Sequence, residues 1–63
     1  MIKVLVSGAC GRMGQAVVKA VMEDQELQLV AAVDIKTGID AGEMVGMGKS
    51  GIIVTDNLDQ AIE

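Results

Sequence analysis

The sequence predicts an α/β protein, specifically the N-terminal half of a doubly wound parallel sheet with the order β-α-β-loop-β-α. An apolar run, Ile2 to Ser7, leads into a glycine-rich turn at residues 8–14, and a second apolar run ends at Asp34. Between the turn and the second run, apolar residues recur at helical spacing. The 51% of hydrophobic residues include no Phe, Trp or Tyr. This composition of Val, Ile, Leu, Ala and Met suits the interior of a parallel sheet.

The turn after the first strand has the sequence Gly-Ala-Cys-Gly-Arg-Met-Gly. We expect Gly8 to permit a tight turn, Gly11 to let the backbone approach a pyrophosphate, and Gly14 to let the helix lie close to the strands. The helix N-terminus would then face the anion with its N–H groups and its dipole. Cys10 takes the place of the usual middle glycine. The combined pattern favours a Rossmann-type dinucleotide site over glycines with purely structural roles.

The helix after the turn is predicted to run from Gln15 to Met22 and to pack one face against the strands. A polar connection at residues 23–26 then leads to a second strand from Leu27 to Val33. Because that strand is almost continuously apolar, we expect it to be buried on both faces. The predicted buried face of the helix comprises Met13, Val17, Ala20 and Val21 with Gly14 and Val18 beside them, and its water-facing side comprises Gln15, Lys19 and Glu23.

Asp34 lies 20 positions after Gly14, the distance expected of the ribose-binding acid of a dinucleotide site. A carboxylate there accepts hydrogen bonds from both ribose hydroxyls and repels a 2′-phosphate. The sequence therefore favours NADH over NADPH as the cofactor. Two cations, Arg12 and Lys36, could compensate for the repulsion, although Lys36 is also explained as an ordinary surface lysine.

The remainder of the chain predicts a weakly structured region followed by a third strand and a short helix. Residues 36–51 hold five glycines and predict a flexible surface loop with a short helix around residues 40–45. Residues 52–55 predict the third strand. Asn57 is a candidate N-cap, with Gln60 completing a capping box, for a helix continuing through Leu58, Ala61 and Ile62.

Three strands are too few for a complete dinucleotide-binding domain, which needs about six. We therefore interpret residues 1–63 as the N-terminal part of such a domain, truncated, with the rest of that domain and a substrate domain outside this chain. On this interpretation the adenosine half of the cofactor is held here. Whether the 63 residues fold by themselves stays open.

Composition and charge exclude several classes of function. Nine acidic against five basic residues give a net charge of −4, and without a basic stripe or aromatic platform no nucleic-acid partner is expected. No apolar run reaches the ~20 residues of a membrane span, and no secretory signal is present. A single cysteine fits a reducing compartment, so we expect a cytoplasmic protein. With no His and no cluster of ligands, we assign no metal site and no catalytic residue.

The segment from Val6 to Gly14, with its Gly-Arg-Met-Gly ending, resembles the N-terminal signature of the dihydrodipicolinate reductase family, also called 4-hydroxy-tetrahydrodipicolinate reductase. Residues 40–51 resemble the glycine-rich stretch after the second strand in that family. The family varies at the position of Cys10 and often has a basic residue at the position of Ile35. The resemblance implies a cofactor site around the pyrophosphate, adenosine and ribose formed by Gly8, Ala9, Cys10, Gly11, Arg12, Met13 and Asp34.

This resemblance also implies an activity for the full-length protein. Members of the family deliver hydride from NADH or NADPH to a cyclic unsaturated dicarboxylate, made from aspartate semialdehyde and pyruvate, in diaminopimelate and lysine biosynthesis. A His and a Lys of the substrate domain supply the proton and grip the carboxylates, and that domain builds a homotetramer. The 63-residue chain alone is then expected to be inactive.

Two alternatives stay open at this point. One is a stand-alone nucleotide-sensing Rossmann module without catalytic activity, and the other is a different nicotinamide-dependent dehydrogenase with a similar first half. A sensing module would need neither the Gly-Arg-Met-Gly ending nor the stretch at residues 40–51. The sequence after Glu63 would separate the two enzymes.

Overall fold

The fold begins with a parallel βαβ unit, as predicted. The computed structural model describes residues 1–61, the last two by their backbone alone. Strands β1 and β2 pair in parallel, and helix α1 connects them. The elements are β1 (Ile2–Ser7), α1 (Arg12–Glu23), β2 (Leu27–Val33), α2 (Ala41–Met44) and α3 (Leu58–Ala61). This arrangement is the N-terminal half of a Rossmann-like fold.

A β-bulge at Val30 shifts the pairing within the sheet. Val4 lies opposite Leu29, but the next residue of β1 lies opposite Ala31, so Val30 has no partner in the ladder. Because of this extra residue, Leu29 and Ala32 face the same side of the sheet and both join the core. The prediction that β2 is buried on both faces is wrong at Gln28 and Val30, which are exposed. Within residues 1–61, the core that includes α1 covers mainly one face of the strand.

Helix α1 is rotated relative to the predicted face. Its buried residues are Val18 and Val21, while Met13 is 83% and Val17 is 44% exposed. Ala20, also predicted to be buried, is exposed. The cause is a close approach at Gly14. A Cβ added there would overlap the carbonyl oxygen of Gly8, so this position of the helix must face the turn.

The buried core consists of Val and Ala side chains with one Leu, as expected from a composition without aromatic residues. Its largest fully buried side chains are Val18 and Val54. It joins α1, both strands, α2 and the segment at residues 52–55 into a single cluster. The buried members of this cluster are Val6, Ala9, Val18, Val21, Leu29, Ala32, Ala41 and Val54.

The predicted third strand is an extended segment, residues 52–55, joined by isolated bridges rather than a regular strand. Thr55 donates to the carbonyl of Ala32 and accepts from the N–H of Asp34, both at 3.0 Å. Val54 instead exchanges hydrogen bonds with Gly38 and Ile39. Because alternate residues bond to different neighbours, no continuous ladder forms. Successive carbonyls of a strand point to opposite edges, and the carbonyl of Val33 accepts from the turn after β1 whereas that of Ala32 accepts from Thr55. The segment therefore lies along the edge of β2 that faces away from β1.

Residues 36–51 are organised around one carboxylate, so the prediction of a flexible surface loop is wrong at its centre. Asp40 is 8% exposed and caps α2, which confirms the predicted short helix. Its carboxylate also accepts from the N–H and hydroxyl groups of Ser50, each at 2.9 Å, and from the N–H of Gly51 at 3.0 Å. These donors hold the pKa of Asp40 far below its usual range. The carboxylate thereby closes the loop between α2 and the extended segment.

Helix α3 begins at Leu58, as expected. The N–H of Asn57, the proposed cap residue, donates to the hydroxyl oxygen of Thr55 at 3.1 Å. The predicted capping contact through the side chain of Gln60, and the continuation of the helix to Ile62, lie outside the described part of the chain. Both stay predictions.

Candidate functional site

The candidate site lies where the carboxyl ends of β1, β2 and the extended segment meet. Ligands of open α/β sheets bind at such edges. Val33 bridges to Thr55 in parallel, so the residues that follow each strand come together. A cavity of about 290 Å³ opens there. It is lined by Ser7, Gly8, Val33, Asp34, Ile35 and Asp56.

The glycine turn is fixed to the end of β2 by backbone hydrogen bonds. The N–H groups of Gly8 and Ala9 both donate to the carbonyl oxygen of Val33, at 2.8 and 3.1 Å. Gly8 has φ of 72°, which a residue with a Cβ adopts only at a cost. Gly11 donates to the carbonyl of Gly8 at 3.1 Å and closes the turn. These backbone hydrogen bonds define the conformation of the turn.

The start of α1 is open to an anion. Gly11 is the N-cap, no side chain caps the helix, and its first turn holds no acidic residue. The N–H groups of Arg12 and Met13 belong to this first turn, where an α-helix has no internal acceptors for them. Both side chains are exposed. This end of the helix can therefore supply N–H donors, the positive end of the dipole and one guanidinium group.

Asp34 is tied directly to the glycine turn. Its Oδ2 accepts a hydrogen bond from the N–H of Cys10 at 2.9 Å, and its Oδ1 accepts from the N–H of Lys36 at 3.3 Å. These two N–H groups lower the pKa of Asp34, with a smaller contribution from the charge of Lys36. The carboxylate is thus ionised at neutral pH, and it keeps lone pairs that can accept further hydrogen bonds.

The side chains of Cys10 and Gln15 contact backbone carbonyl oxygens at the glycine turn and after β2. The Cys10 thiol is half-buried 3.6 Å from the carbonyl oxygen of Lys36, and burial is the main reason that its pKa is raised. This agrees with Cys10 filling a tight turn rather than acting as a thiolate nucleophile. The side-chain amide of Gln15 donates to the carbonyl of Cys10 at 2.8 Å. The prediction that Gln15 simply faces water is therefore wrong.

The structure places the seven predicted cofactor residues in three groups. Gly8 and Asp34 line the cavity, while Cys10, Gly11, Arg12 and Met13 form the rest of the turn and the start of α1. Ala9 is fully buried and its N–H is already donated to Val33. The structure gives Ala9 a packing role, so its contact with a pyrophosphate stays a prediction, as do the other six contacts.

Sequence reasoning missed Asp56, which lines the same cavity as Asp34. A signal for it was present, because Asp56 follows a predicted strand just as Asp34 does. What the sequence could not supply was the register that sets the two strand ends side by side. Asp40 was missed as a structural centre for a similar reason, since two of the residues that bond to it lie ten and eleven positions away.

A larger cavity, of about 600 Å³, lies over residues 30–32 and 51–56. Asp56 is its only ionisable lining residue among those described, and neither Asp34 nor the glycine turn is part of its lining. Within residues 1–61, no three His, Cys, Asp or Glu side chains are placed to hold a metal. In the same part of the chain, no helix is sufficiently long and apolar to span a bilayer.

A comparison of the sequence with known families identifies the family of the chain. A sequence model described as "Dihydrodipicolinate reductase, N-terminus" matches residues 2–63. The chain belongs to this family. The matched region includes the glycine turn and Asp34. The family resemblance inferred from the Gly-Arg-Met-Gly segment is therefore confirmed.

Individual relatives of the chain are named 4-hydroxy-tetrahydrodipicolinate reductase. The protein of Methanococcus maripaludis is 42% identical over 69 residues, covering 100% of this chain and 26% of its own length. That of Methanothermobacter thermautotrophicus is 45% identical over 60 residues, covering 89% and 22%. That of Methanosarcina barkeri is 47% identical over 66 residues, covering 100% and 25%. The chain spans about a quarter of the length of these curated relatives.

Proposed function

We propose that this chain is the adenosine-binding part of the nicotinamide dinucleotide site of a 4-hydroxy-tetrahydrodipicolinate reductase. The full-length protein would reduce a cyclic dicarboxylate in diaminopimelate and lysine biosynthesis, as a cytoplasmic homotetramer. The observation that carries the proposal is the 2.9 Å hydrogen bond between Asp34 and the N–H of Cys10. This bond joins Asp34, the acid expected to bind the ribose, to the glycine turn. The relatives of the chain are named as reductases.

The residues present fit the adenosine half of a dinucleotide. The pyrophosphate would lie against the start of α1, close to the N–H groups of Arg12 and Met13, and Gly11 would leave room for it. The ribose hydroxyls would donate to Asp34, whose orientation is already set by Cys10. When bound, the nicotinamide supplies hydride. The chain's own contribution is binding and orientation, and we assign no catalytic residue to it.

The same site favours NADH over NADPH. Asp34 would face the ribose 2′ position, and the residue after it is the neutral Ile35. None of the described residues that line the cavity carries a positive charge. The charge of Lys36 reaches Asp34 and would offset part of the repulsion. We therefore propose that NADPH binds, but more weakly than NADH.

A fluorescence titration with NADH tests the proposal. The chain has no Trp or Tyr, so the cofactor signal is free of protein background. We expect saturable NADH binding that Asp34→Asn weakens about 10- to 100-fold, because hydrogen bonds to a charged acceptor are the strong ones. Asp34→Asn keeps the size of the side chain and an oxygen that can accept from Cys10, so the turn is expected to survive.

The matched control is Asp59→Asn, which makes the same charge change at an exposed position of α3. It should bind NADH as the wild type does. Circular dichroism of each variant verifies the fold. A folded wild-type chain that binds no NADH, or an Asp34→Asn variant that binds it normally, would contradict the proposed role of this site.

A further inference from the structure

The cavity beside the glycine turn has a second carboxylate that the proposed contacts leave unused. Asp56 lines this cavity together with Asp34. Asp56 is exposed. The side chains of Asp34 and Asp40 accept hydrogen bonds from backbone N–H groups, whereas within residues 1–61 the side chain of Asp56 accepts none. Its carboxylate oxygens are therefore available to a ligand.

The position of Asp56 is fixed by the backbone. Thr55 bonds to Ala32 and to Asp34 on the edge of β2, both at 3.0 Å, and Val33 bridges to Thr55 in parallel. Because parallel partners advance together, the residue after Thr55 lies beside the residue after Val33. Asp34 and Asp56 are thus neighbours at the same edge of the sheet. The pairing of Val33 with Thr55 sets this arrangement.

We propose that Asp56 is a second specificity-determining residue of the ribose subsite, which disfavours a ribose that carries a 2′-phosphate. This inference rests on the proposed dinucleotide function. Asp34 has one hydrogen bond from the chain on each of its oxygens, and it would remain the main acceptor for the ribose hydroxyls. Asp56 would act mainly through its charge.

The charges around the cavity determine which of the two cofactors Asp56 would disfavour. A 2′-phosphate would meet two carboxylates, while no described lining residue offers a countercharge. Lys36 and Arg12 lie outside that lining, although the charge of Lys36 acts on Asp34. An unphosphorylated ribose carries no charge and would meet no such repulsion. The penalty therefore applies to NADPH alone and is screened by salt.

The test measures NADH and NADPH affinities by cofactor fluorescence in the wild type, Asp56→Asn and Asp59→Asn. We expect Asp56→Asn to strengthen NADPH binding about three- to tenfold, through the removal of one unit of repulsion near the surface. NADH affinity should change less than about twofold. Raising the salt concentration should narrow the difference between the two cofactors in the wild type more than in Asp56→Asn.

The control variant separates a local effect from a change in net charge. Asp59→Asn removes the same charge outside the cavity and should leave the ratio of the two affinities unchanged. An unchanged ratio in a folded Asp56→Asn variant, with NADH binding intact and dependent on Asp34, would overturn the role of Asp56 alone. Absence of NADH binding by the folded wild type would overturn the proposed function and the role of Asp56 together.

Discussion

Gly14→Ala is expected to lower the urea concentration at the unfolding midpoint of the chain by a large fraction. A methyl group at this position would overlap the carbonyl oxygen of Gly8 and come within 2.7 Å of its carbonyl carbon and 2.8 Å of the Cα of Ala9. All three atoms are backbone, so α1 must move away from the turn. Urea unfolding followed by circular dichroism measures the effect.

The magnitudes favour destabilisation. Alanine gains about 1 kcal/mol over glycine inside a helix, whereas overpacking typically costs about 1–3 kcal/mol, and a clash with backbone on both sides of a tight turn lies at the upper end. The total stability of so small a domain is on the order of 5 kcal/mol. A net loss of about 2 kcal/mol is a large part of that total and would lower the midpoint urea concentration by a similar fraction.

Gly11→Ala is the matched control, because the same methyl group meets only the Gly8 carbonyl oxygen, at 3.4 Å. We expect Gly11→Ala to unfold at nearly the wild-type urea concentration but to bind NADH weakly, since its methyl group would occupy the approach to the pyrophosphate. An unfolding midpoint for Gly14→Ala equal to that of Gly11→Ala would refute the steric account.

The second large effect is expected at Asp40. Asp40→Asn keeps the shape of the side chain but turns one acceptor oxygen into an NH₂ donor, which then faces N–H groups. Donors that now converge on the carboxylate include the N–H groups of Gly42 at 2.8 Å and Glu43 at 3.2 Å in addition to those of Ser50 and Gly51. We expect the thermal midpoint at neutral pH to fall by about 5 °C or more.

The pH dependence gives this prediction its sign. Hydrogen bonds from N–H groups hold the pKa of the Asp40 carboxyl far below its ordinary value, which is near 3.9 in an unfolded chain. The stabilisation is therefore fully present above about pH 4 and is progressively lost as the pH falls below it. The difference in stability between wild type and Asp40→Asn should be largest near neutral pH and should narrow in acid. Asp59→Asn, an exposed acid of α3, should show neither effect.

The sequence predicted those features whose causes lie close together in the chain. The strand, glycine turn and helix follow from local patterns, and Asp34 follows from its distance to the turn. The rotation of α1 was mispredicted because hydrophobic periodicity places Met13 and Val17 near the apolar face, whereas the contact between Gly14 and Gly8 decides which side is buried.

Contacts between distant residues account for the other differences. The role of Asp40 depends on Ser50 and Gly51 returning to it, and a local pattern shows only its capping of α2. The extended segment at residues 52–55 divides its hydrogen bonds between the β2 side and residues 38–41. Residue propensities describe single positions and carry no information about such pairing. Asp56 enters the site only through that shared pairing.

The bulge at Val30 has a consequence for the ribose acid as well as for the core. Side chains of a strand alternate between the two faces, so one additional residue inverts the parity of everything that follows. Upstream of Val30, the odd-numbered Leu29 faces the core, and downstream the even-numbered Ala32 does so. If Val30 were instead paired in a regular ladder, a single parity would place Ala32 and Asp34 on the side of the sheet opposite Leu29. A residue without a partner in the ladder thus selects the side of the sheet on which the carboxylate meets the glycine turn.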